Sequence, residues 1–430
     1  MLRLQLFADA FLYIFGFAAN IIHMRLFDDN KKFISVVSLP VFVSSVLLLI
    51  VSLLSHFSVE MFSDLNELMH RSFTIPFGAF LAGMSAYCAG GSTKKSLISS
   101  FSACLFNLAF FSLSGVGAGL IFNIIFALIV ALFAKKSDNL LFAVAALLVA
   151  LVYGVVSYYV YNLVIGVIPM ICEFCKGRGA LAGMLNDVFS SFVSDDFYDT
   201  MYFQDYSGLI FKNNKLLSGV ISIFTASPNL PNESVSSYLS GKYFADIFVC
   251  VGISISVFSR FKGEIRYALL SSAVLCAVFG DSRLFSLLVF VYNPLLYLGK
   301  LLCTFVSYAV AALIDFRMGY SSFGGIWELF SYLHKPLYFL AVGVVVATLA
   351  YYVSKLVLSK FDFDSHIHMP KEVKRIIRAL GGSDNIVDFD SGRLIVNNPN
   401  LVDVLKIHCE IHENRVSLTK NDFELLQDYF

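Results

Sequence analysis

From Leu140 to Pro169 the chain reads LLFAVAALLVALVYGVVSYYVYNLVIGVIP, without one acidic or basic side chain. About twenty apolar residues in a helix cross the hydrocarbon core of a bilayer, so this run crosses with considerable tilt. Comparable runs occupy Phe33 to Leu54, Phe73 to Tyr87, Ser96 to Leu113, Gly115 to Phe133 and Leu337 to Leu358. Only 14% of the residues are charged and 58% are hydrophobic, whereas a soluble domain is about 25% charged. A soluble globular protein is thereby excluded. Net charge is zero, so nothing in the bulk electrostatics points to nucleic acid.

The segments between the runs set the organisation. Met1 to Leu26 reads as a retained first span or an interfacial helix, because Asp9 interrupts it and no small-residue cleavage site follows. Glu60 to Arg71 reads as a solvated helix face. The pairs Lys94-Lys95 and Lys135-Lys136 are separated by two spans and so lie on one side, the cytoplasm under the positive-inside rule. The eight Cys stand mostly singly in apolar runs, where a thiol behaves as a small hydrophobe. Cys172 and Cys175 have metal-like spacing but no second pair, so neither a disulfide framework nor a metal site is expected.

Gly280 to Tyr332 holds the densest chemistry. Asp281 and Arg283 precede two apolar spans divided at Pro294, and a Gly- and Ser-rich segment with the only Trp and Glu328 follows. Ionisable residues beside a membrane-length run mark either a functional site or the interfacial end of a span, and the residues alone leave both open. Ala180 to Val193 and Leu216 to Ala226 are too short to span. Irregular backbone at membrane depth survives only when buried in protein or lining a cavity, and re-entrant hairpins around a substrate site are one solution. Asp195, Asp196 and Asp199 read, by themselves, as a solvated acidic loop. Asp246 lies inside an apolar segment and is expected to pair with a cation such as Arg283.

Beyond Asp364 the composition turns polar. Pro370, then Val373, Ile376, Ile377 and Leu380 at helical spacing, then Gly381-Gly382, predict a helix and its stop. Ile386 to Asp388, Arg393 to Val396 and Arg415 to Leu418 read as strands and Leu401 to Ile407 as a helix. Thr419 caps a last helix with Leu425 and Leu426 facing inward. This is an α+β pattern.

The order Gly280, Pro294-Leu295-Leu296-Tyr297, Arg317-Met318-Gly319 and Gly324-Gly325-Ile326 resembles the membrane permease (IIC) domain of the glucose and N-acetylglucosamine family of the bacterial phosphoenolpyruvate-dependent sugar phosphotransferase system. The resemblance implies an essential Glu where this chain has Arg283, a Pro at Leu284 and a second Glu at Ser286. Gly183, Leu185 and Asn186 are similar to residues that precede the family's paired histidines, which fall here on Asp195 and Asp196. With the resemblance, these carboxylates become candidates to accept sugar hydroxyls. The tail is similar to the family's IIB domain through RIIRALGGSDNIVDF, with Arg393 kept and Asp390 where the family has its phosphoryl-accepting Cys. An Asp does not supply the thiolate nucleophile, and Cys409 lies in the wrong element to replace it.

The expectation is therefore a polytopic α-helical membrane protein of about ten membrane segments with re-entrant hairpins, followed by a small α+β cytosolic domain. A permease-like domain covers residues 1–360, a linker 361–368 and a IIB-like domain 369–430. The site residues are Asp195, Asp196, Arg283 and Glu328 for substrate, and Asp390 and Arg393 in the IIB-like loop. The family-equivalent catalytic positions are Asp196, Arg283 and Asp390. The leading function is a phosphotransferase-type sugar permease with coupled phosphorylation lost. A non-transporting sugar sensor, and a phosphorylating transporter with a rebuilt site, stay open. The resemblance implies a sugar substrate, a IIA-like partner, a homodimer and the bacterial inner membrane with the tail in the cytoplasm. No cofactor, metal or nucleic acid is expected.

Overall fold

In hydrocarbon a backbone must satisfy its own hydrogen bonds, and the apolar runs accordingly fold as helices. The computed structural model describes residues 30–56, 73–90, 92–115, 117–175, 177–193, 211–212, 215–216, 220, 224, 233–258, 264–316, 318–319, 325–326, 328–329, 336–360, 371–382, 385–390, 393–404, 407, 409–419, 422–423 and 426. The chain divides into two compact units, Met1–Phe361 and Asp362–Phe430. The expected first segment, Met1 to Leu26, lies outside the described residues.

The larger unit is built from α1 (Asn30–His56), α2 (Thr74–Gly90), α3 (Thr93–Ser114), α4 (Leu120–Lys136), α5 (Asn139–Cys175) and α6 (Gly179–Phe192). A minimal hairpin follows, β1 (Phe211–Lys212) with β2 (Lys215–Leu216). Then come α7 (Glu233–Tyr243), a π-helical turn Phe244–Val249, α8 (Cys250–Phe258), α9 (Glu264–Phe279), α10 (Arg283–Tyr292), α11 (Pro294–Leu313) and α12 (Pro336–Lys360). Among the described residues, six helical stretches are long and apolar enough to cross a membrane: Val36–Ser55, Thr93–Ser114, Asn139–Cys175, Tyr238–Phe258, Pro294–Leu313 and Pro336–Ser359. Thr74–Ala89, Ile265–Phe279 and Arg283–Tyr292 are apolar but shorter. The protein is thus a multi-pass membrane protein. The outer faces of α5 and α12 expose Leu148, Val152, Leu163, Val345 and Leu356, as a surface solvated by lipid requires.

Gly280–Leu313, expected as two apolar spans, contains only one of spanning length. Asn293 and Pro294 divide it. The Asn293 side chain accepts the amides of Leu295 at 2.9 Å and Leu296 at 3.1 Å, and Pro294 starts α11 where no amide donor is needed. That leaves α10 with 10 residues, about 15 Å of helix and half of a hydrocarbon core. Arg283 through Val291 are all buried. A half-length helix wholly enclosed by protein is the arrangement that a re-entrant segment demands.

Helix packing in the N-terminal half centres on Phe106, whose ring lies 5.0 Å from both Phe126 and Tyr153. Asn107 donates to Asn123 at 2.8 Å across the α3–α4 contact. Lys95 donates to the Ala134 carbonyl at 2.7 Å, bringing the two Lys-Lys segments to one end of the α3–α4 pair. In the second half α6 and α11 run antiparallel: the Phe192 and Tyr297 rings meet at 5.3 Å near one end, and Gly183 lies against the Tyr308 ring near the other.

In the smaller unit α13 (Lys371–Ala379) ends at Gly381 and Gly382, whose φ of 90° and 105° only glycine adopts freely. Strands β3 (Ile386–Asp390), β4 (Arg393–Val396), β5 (Glu410–His412) and β6 (Arg415–Ser417) form an antiparallel sheet in the order β3-β4-β6-β5. Ile376, Leu380, Leu394, Val396, Val416 and Leu426 fill its core. Thr419 accepts the Asp422 amide on its hydroxyl at 3.3 Å, a capping bond, and Leu425 lies outside the described residues. Two expectations change here. In place of a helix over Leu401 to Ile407 there is a 3-10 turn, Pro399–Leu401, and residues 402–404 are not helical, and β5 forms where no strand was expected. Asp403 donates its amide to the Ala379 carbonyl at 2.6 Å, so pairing with the end of α13 holds this segment where local propensity favours helix.

Gly325 approaches the turn after α9 so closely that a Cβ there would stand 2.2 Å from the Val278 carbonyl oxygen and 2.5 Å from the Gly280 amide nitrogen. Backbone cannot yield as a side chain does, so Gly325→Ala is expected to destabilise the protein by about 1–3 kcal/mol. Gly166→Ala, which meets open space, leaves stability unchanged or raised. Thermal melting in detergent distinguishes the two, and equal melting temperatures would contradict the packing.

Candidate functional site

Gly280 closes α9 by donating its amide to the Cys276 carbonyl at 2.8 Å and turns the chain with a φ of 76°. The corner it makes, Gly280 to Ser286, is buried throughout. Desolvating an ion costs several kcal/mol unless geometry and further hydrogen bonds offset it, yet among the described residues three ion pairs meet here.

The first is Asp281 with Arg283. Arg283 donates from Nε to Asp281 Oδ1 at 2.9 Å and from Nη2 to Oδ2 at 2.8 Å, a two-point fork. Its amide donates to the same carboxylate at 3.2 Å, and its guanidinium lies 4.2 Å from the centre of the Phe73 ring. The second is Lys242 with Asp246, one helical turn apart across the start of the π-helical turn. Lys242 also donates to the Gly280 carbonyl at 3.0 Å, tying that turn to the corner. The third is Asp187 of α6 with Lys300 of α11. Lys300 Nζ donates to Asp187 Oδ1 at 2.8 Å and Oδ2 at 2.6 Å, and to Ser286 Oγ at 2.8 Å, so its three protons are all used. Ser282 donates to Asp187 Oδ1 at 3.1 Å.

The arrangement fixes the places of the residues singled out in the sequence. Arg283 sits in the cluster, held by Asp281. Asp246 does not pair with Arg283 as expected. Lys242, one turn away on its own helix, reaches it first, and Asp281 takes Arg283 two residues away. Glu328 is half-buried, and its amide donates to the Gly325 carbonyl at 3.1 Å in the segment packed against Gly280. Asp195 and Asp196 lie outside the described residues. Asp390 and Arg393 belong to the other unit, where they face each other in register at the end of the β3–β4 hairpin, with Arg393 exposed. Cys409 precedes β5 in that unit, and partial burial raises its thiol above the ordinary value, away from the thiolate form.

Asp187, Lys242 and Lys300 were not expected in the site. Lys300 had a signal, since it is the one charge between Pro294 and Leu313, and an intramembrane charge is a functional candidate by default. Asp187 follows Asn186 directly. Among the described residues no three His, Cys, Asp or Glu side chains gather as a metal site would require. All eight cysteines are free thiols.

A short half-helix, an interrupted helix and paired charges at one corner form the architecture by which transporters build substrate and ion sites in the membrane. No family model matches the chain. It is 26% identical over 240 residues to the PTS system maltose-specific EIICB component of Escherichia coli (strain K12). The chain is similar to a phosphotransferase-type sugar permease. The alignment takes in 47% of this chain and 45% of that protein, so the chain spans about half the length of the curated relative it matches.

The Asp281–Arg283 fork predicts a sharp asymmetry. Asp281→Asn, which takes from a buried guanidinium the carboxylate it bonds at two points, is expected to cost about 3–5 kcal/mol. Arg283→Glu places a second carboxylate beside Asp281 and is expected to destabilise comparably. Asp281→Asn with Arg283→Gln, removing both charges, costs clearly less. Melting temperatures of the purified variants test the order, and a neutral Asp281→Asn would refute the pairing.

Proposed function

We propose that this protein is a sugar permease of the phosphotransferase type, in the glucose and N-acetylglucosamine class, that moves or binds its sugar without phosphorylating it. Similarity to a maltose-specific EIICB component supports the permease class. Maltose is two joined glucose units, which keeps a glucose-based ligand in view.

The observation that carries the loss of phosphorylation is Arg283. The family resemblance places an essential carboxylate there, and this chain has a guanidinium clamped to Asp281 at 2.9 and 2.8 Å. A guanidinium cannot accept a proton from a sugar hydroxyl. Asp390 at the phosphoryl-acceptor position and Asp195 and Asp196 at the histidine positions point the same way. The smaller unit is, in this reading, a IIB-like domain on the cytoplasmic side that keeps the fold of a phosphoryl carrier and has lost its nucleophile. Sugar hydroxyls would be met by Asp195, Asp196 and Glu328 together with the serines of the corner.

Two measurements test this. In vesicles carrying the purified protein, labelled glucose, N-acetylglucosamine or maltose is expected to enter or bind and be recovered as free sugar. Recovery of a sugar phosphate would establish a rebuilt relay instead, and binding without entry would mark a sensor. Separately, the full chain incubated with a phosphorylated IIA-type donor is expected to take up no stable label. Labelling at Asp390 or any other residue would overturn the loss of the relay.

A further inference from the structure

Of the three buried ion pairs at the corner, two are local. Lys242 and Asp246 stand on one helix, four residues apart, and Asp281 and Arg283 are two residues apart on one turn. Each moves with its own element and stays closed whatever the helices do. Asp187 and Lys300 are separated by 113 positions and join α6 to α11, with Ser282 and Ser286 of the corner as their other partners. Among the described residues this is the ion pair that must open if those elements separate.

The seam around it holds polar capacity that the present pairing leaves unused. Ser191 lies one turn beyond Asp187 on α6, and Thr304 one turn beyond Lys300 on α11. Both hydroxyls are buried with no hydrogen-bond partner among the described residues. A buried unpaired hydroxyl is costly, so both can take up a hydrogen bond when the pair between them opens. In a membrane protein, embedded acid–base pairs of this kind serve as ion and proton relays.

We propose that Asp187 and Lys300 form a proton-coupling site, so that sugar movement through this permease is driven by a proton in place of a phosphoryl group. The inference rests on the permease reading above. A proton from one aqueous side adds to an Asp187 carboxylate oxygen, the only bond formed being O–H. Lys300 keeps its three protons, loses its anionic partner and remains on Ser286. The site passes from neutral to one positive charge, and α6 is released from α11. On the other side the same O–H bond breaks, the proton leaves and the pair closes again. A metal cation would have to displace Lys300 Nζ from its oxygens, whereas a proton needs no added room. The groups around Asp187 that share its field are Lys300 and Tyr297 of α11, Lys242 and Asp246 across the π-helical turn, Asp281 and Arg283 of the corner, and Cys276 of α9, whose thiol donates to the Asp246 carbonyl at 3.4 Å. The Tyr308 ring lies in the same α6–α11 seam, against Gly183. Around Asp187 the three acids and three bases cancel, so one added proton creates an uncompensated charge.

The test uses the full chain in proteoliposomes, a pH-sensitive dye inside, and labelled glucose, N-acetylglucosamine and maltose as probes. Sugar entry is expected to acidify the interior, and an inward gradient of about one pH unit to support about tenfold accumulation, the limit for one proton per sugar. Asp187→Asn is expected to reduce accumulation to equilibration, whatever the rate of exchange. Asp187→Asn with Lys300→Gln, which leaves no buried charge unpaired, gives the same loss and guards against misfolding of the single variant. Sugar exchange without proton entry, accumulation that survives the double substitution, or accumulation driven by sodium instead would overturn the coupling while leaving the permease intact. Failure of all three sugars to exchange would overturn the permease reading, and the coupling with it.

Discussion

A charge inside a membrane protein persists only beside its opposite, and the corner from Gly280 to Ser286 is where this protein meets that requirement three times over. Asp281 holds Arg283, Ser282 and Ser286 bond the two halves of the Asp187–Lys300 pair, and the Gly280 carbonyl accepts from Lys242 of the third. Four elements are gathered by these bonds. α6 enters through Asp187, the interrupted helix through Lys242, α10 through Arg283 and Ser286, and α11 through Lys300. Hydrophobic packing in lipid gives little direction of its own, since the tails of the solvent are as apolar as leucine. Hydrogen-bonded charges and close glycine contacts therefore carry much of the specificity.

The corner exists because two helices stop and a third is locally widened. α9 stops at Gly280, whose positive φ only glycine takes without strain. α10 stops at Asn293, whose side chain caps the next helix. The helix that begins at Glu233 widens into a π-helical turn at Phe244, the kind of interruption often found at functional sites. Each break frees backbone groups or redirects side chains at one depth. Gly325 then closes against the Gly280 turn at a distance no other residue permits. The result is a polar site enclosed by protein and surrounded by helices whose outer faces are leucine, valine and tyrosine.

Arg283 shows how this corner holds a buried cation. A buried guanidinium would destabilise it unless an acid stood beside it. Asp281 is that acid, two residues away. The charge is thus matched locally, within one turn of the chain. In the other unit Asp390 and Arg393 are register partners at the end of the β3–β4 hairpin.

Much of this was legible in the linear chain. Membrane-length apolar runs became helices because a helix satisfies its backbone within the segment, whatever surrounds it. The stop at Gly381-Gly382 and strands read over Ile386 to Asp388, Arg393 to Val396 and Arg415 to Leu418, close to those observed, were readable for the same reason, being set by neighbours in sequence. Asp281 was a visible partner for Arg283 at two residues' distance. Asp187 and Lys300 were not readable as partners, since no local pattern relates residues 113 positions apart and only the antiparallel packing of α6 on α11 brings them together. Competition between near partners was likewise invisible: Asp246 had several cations to choose from, and the helical turn to Lys242 decided. The half-length of α10 and the irregular segment after Leu401 also required the fold. Sequence sets what a stretch of chain can satisfy by itself, and tertiary structure decides which of the remaining polar groups must find each other when water is excluded.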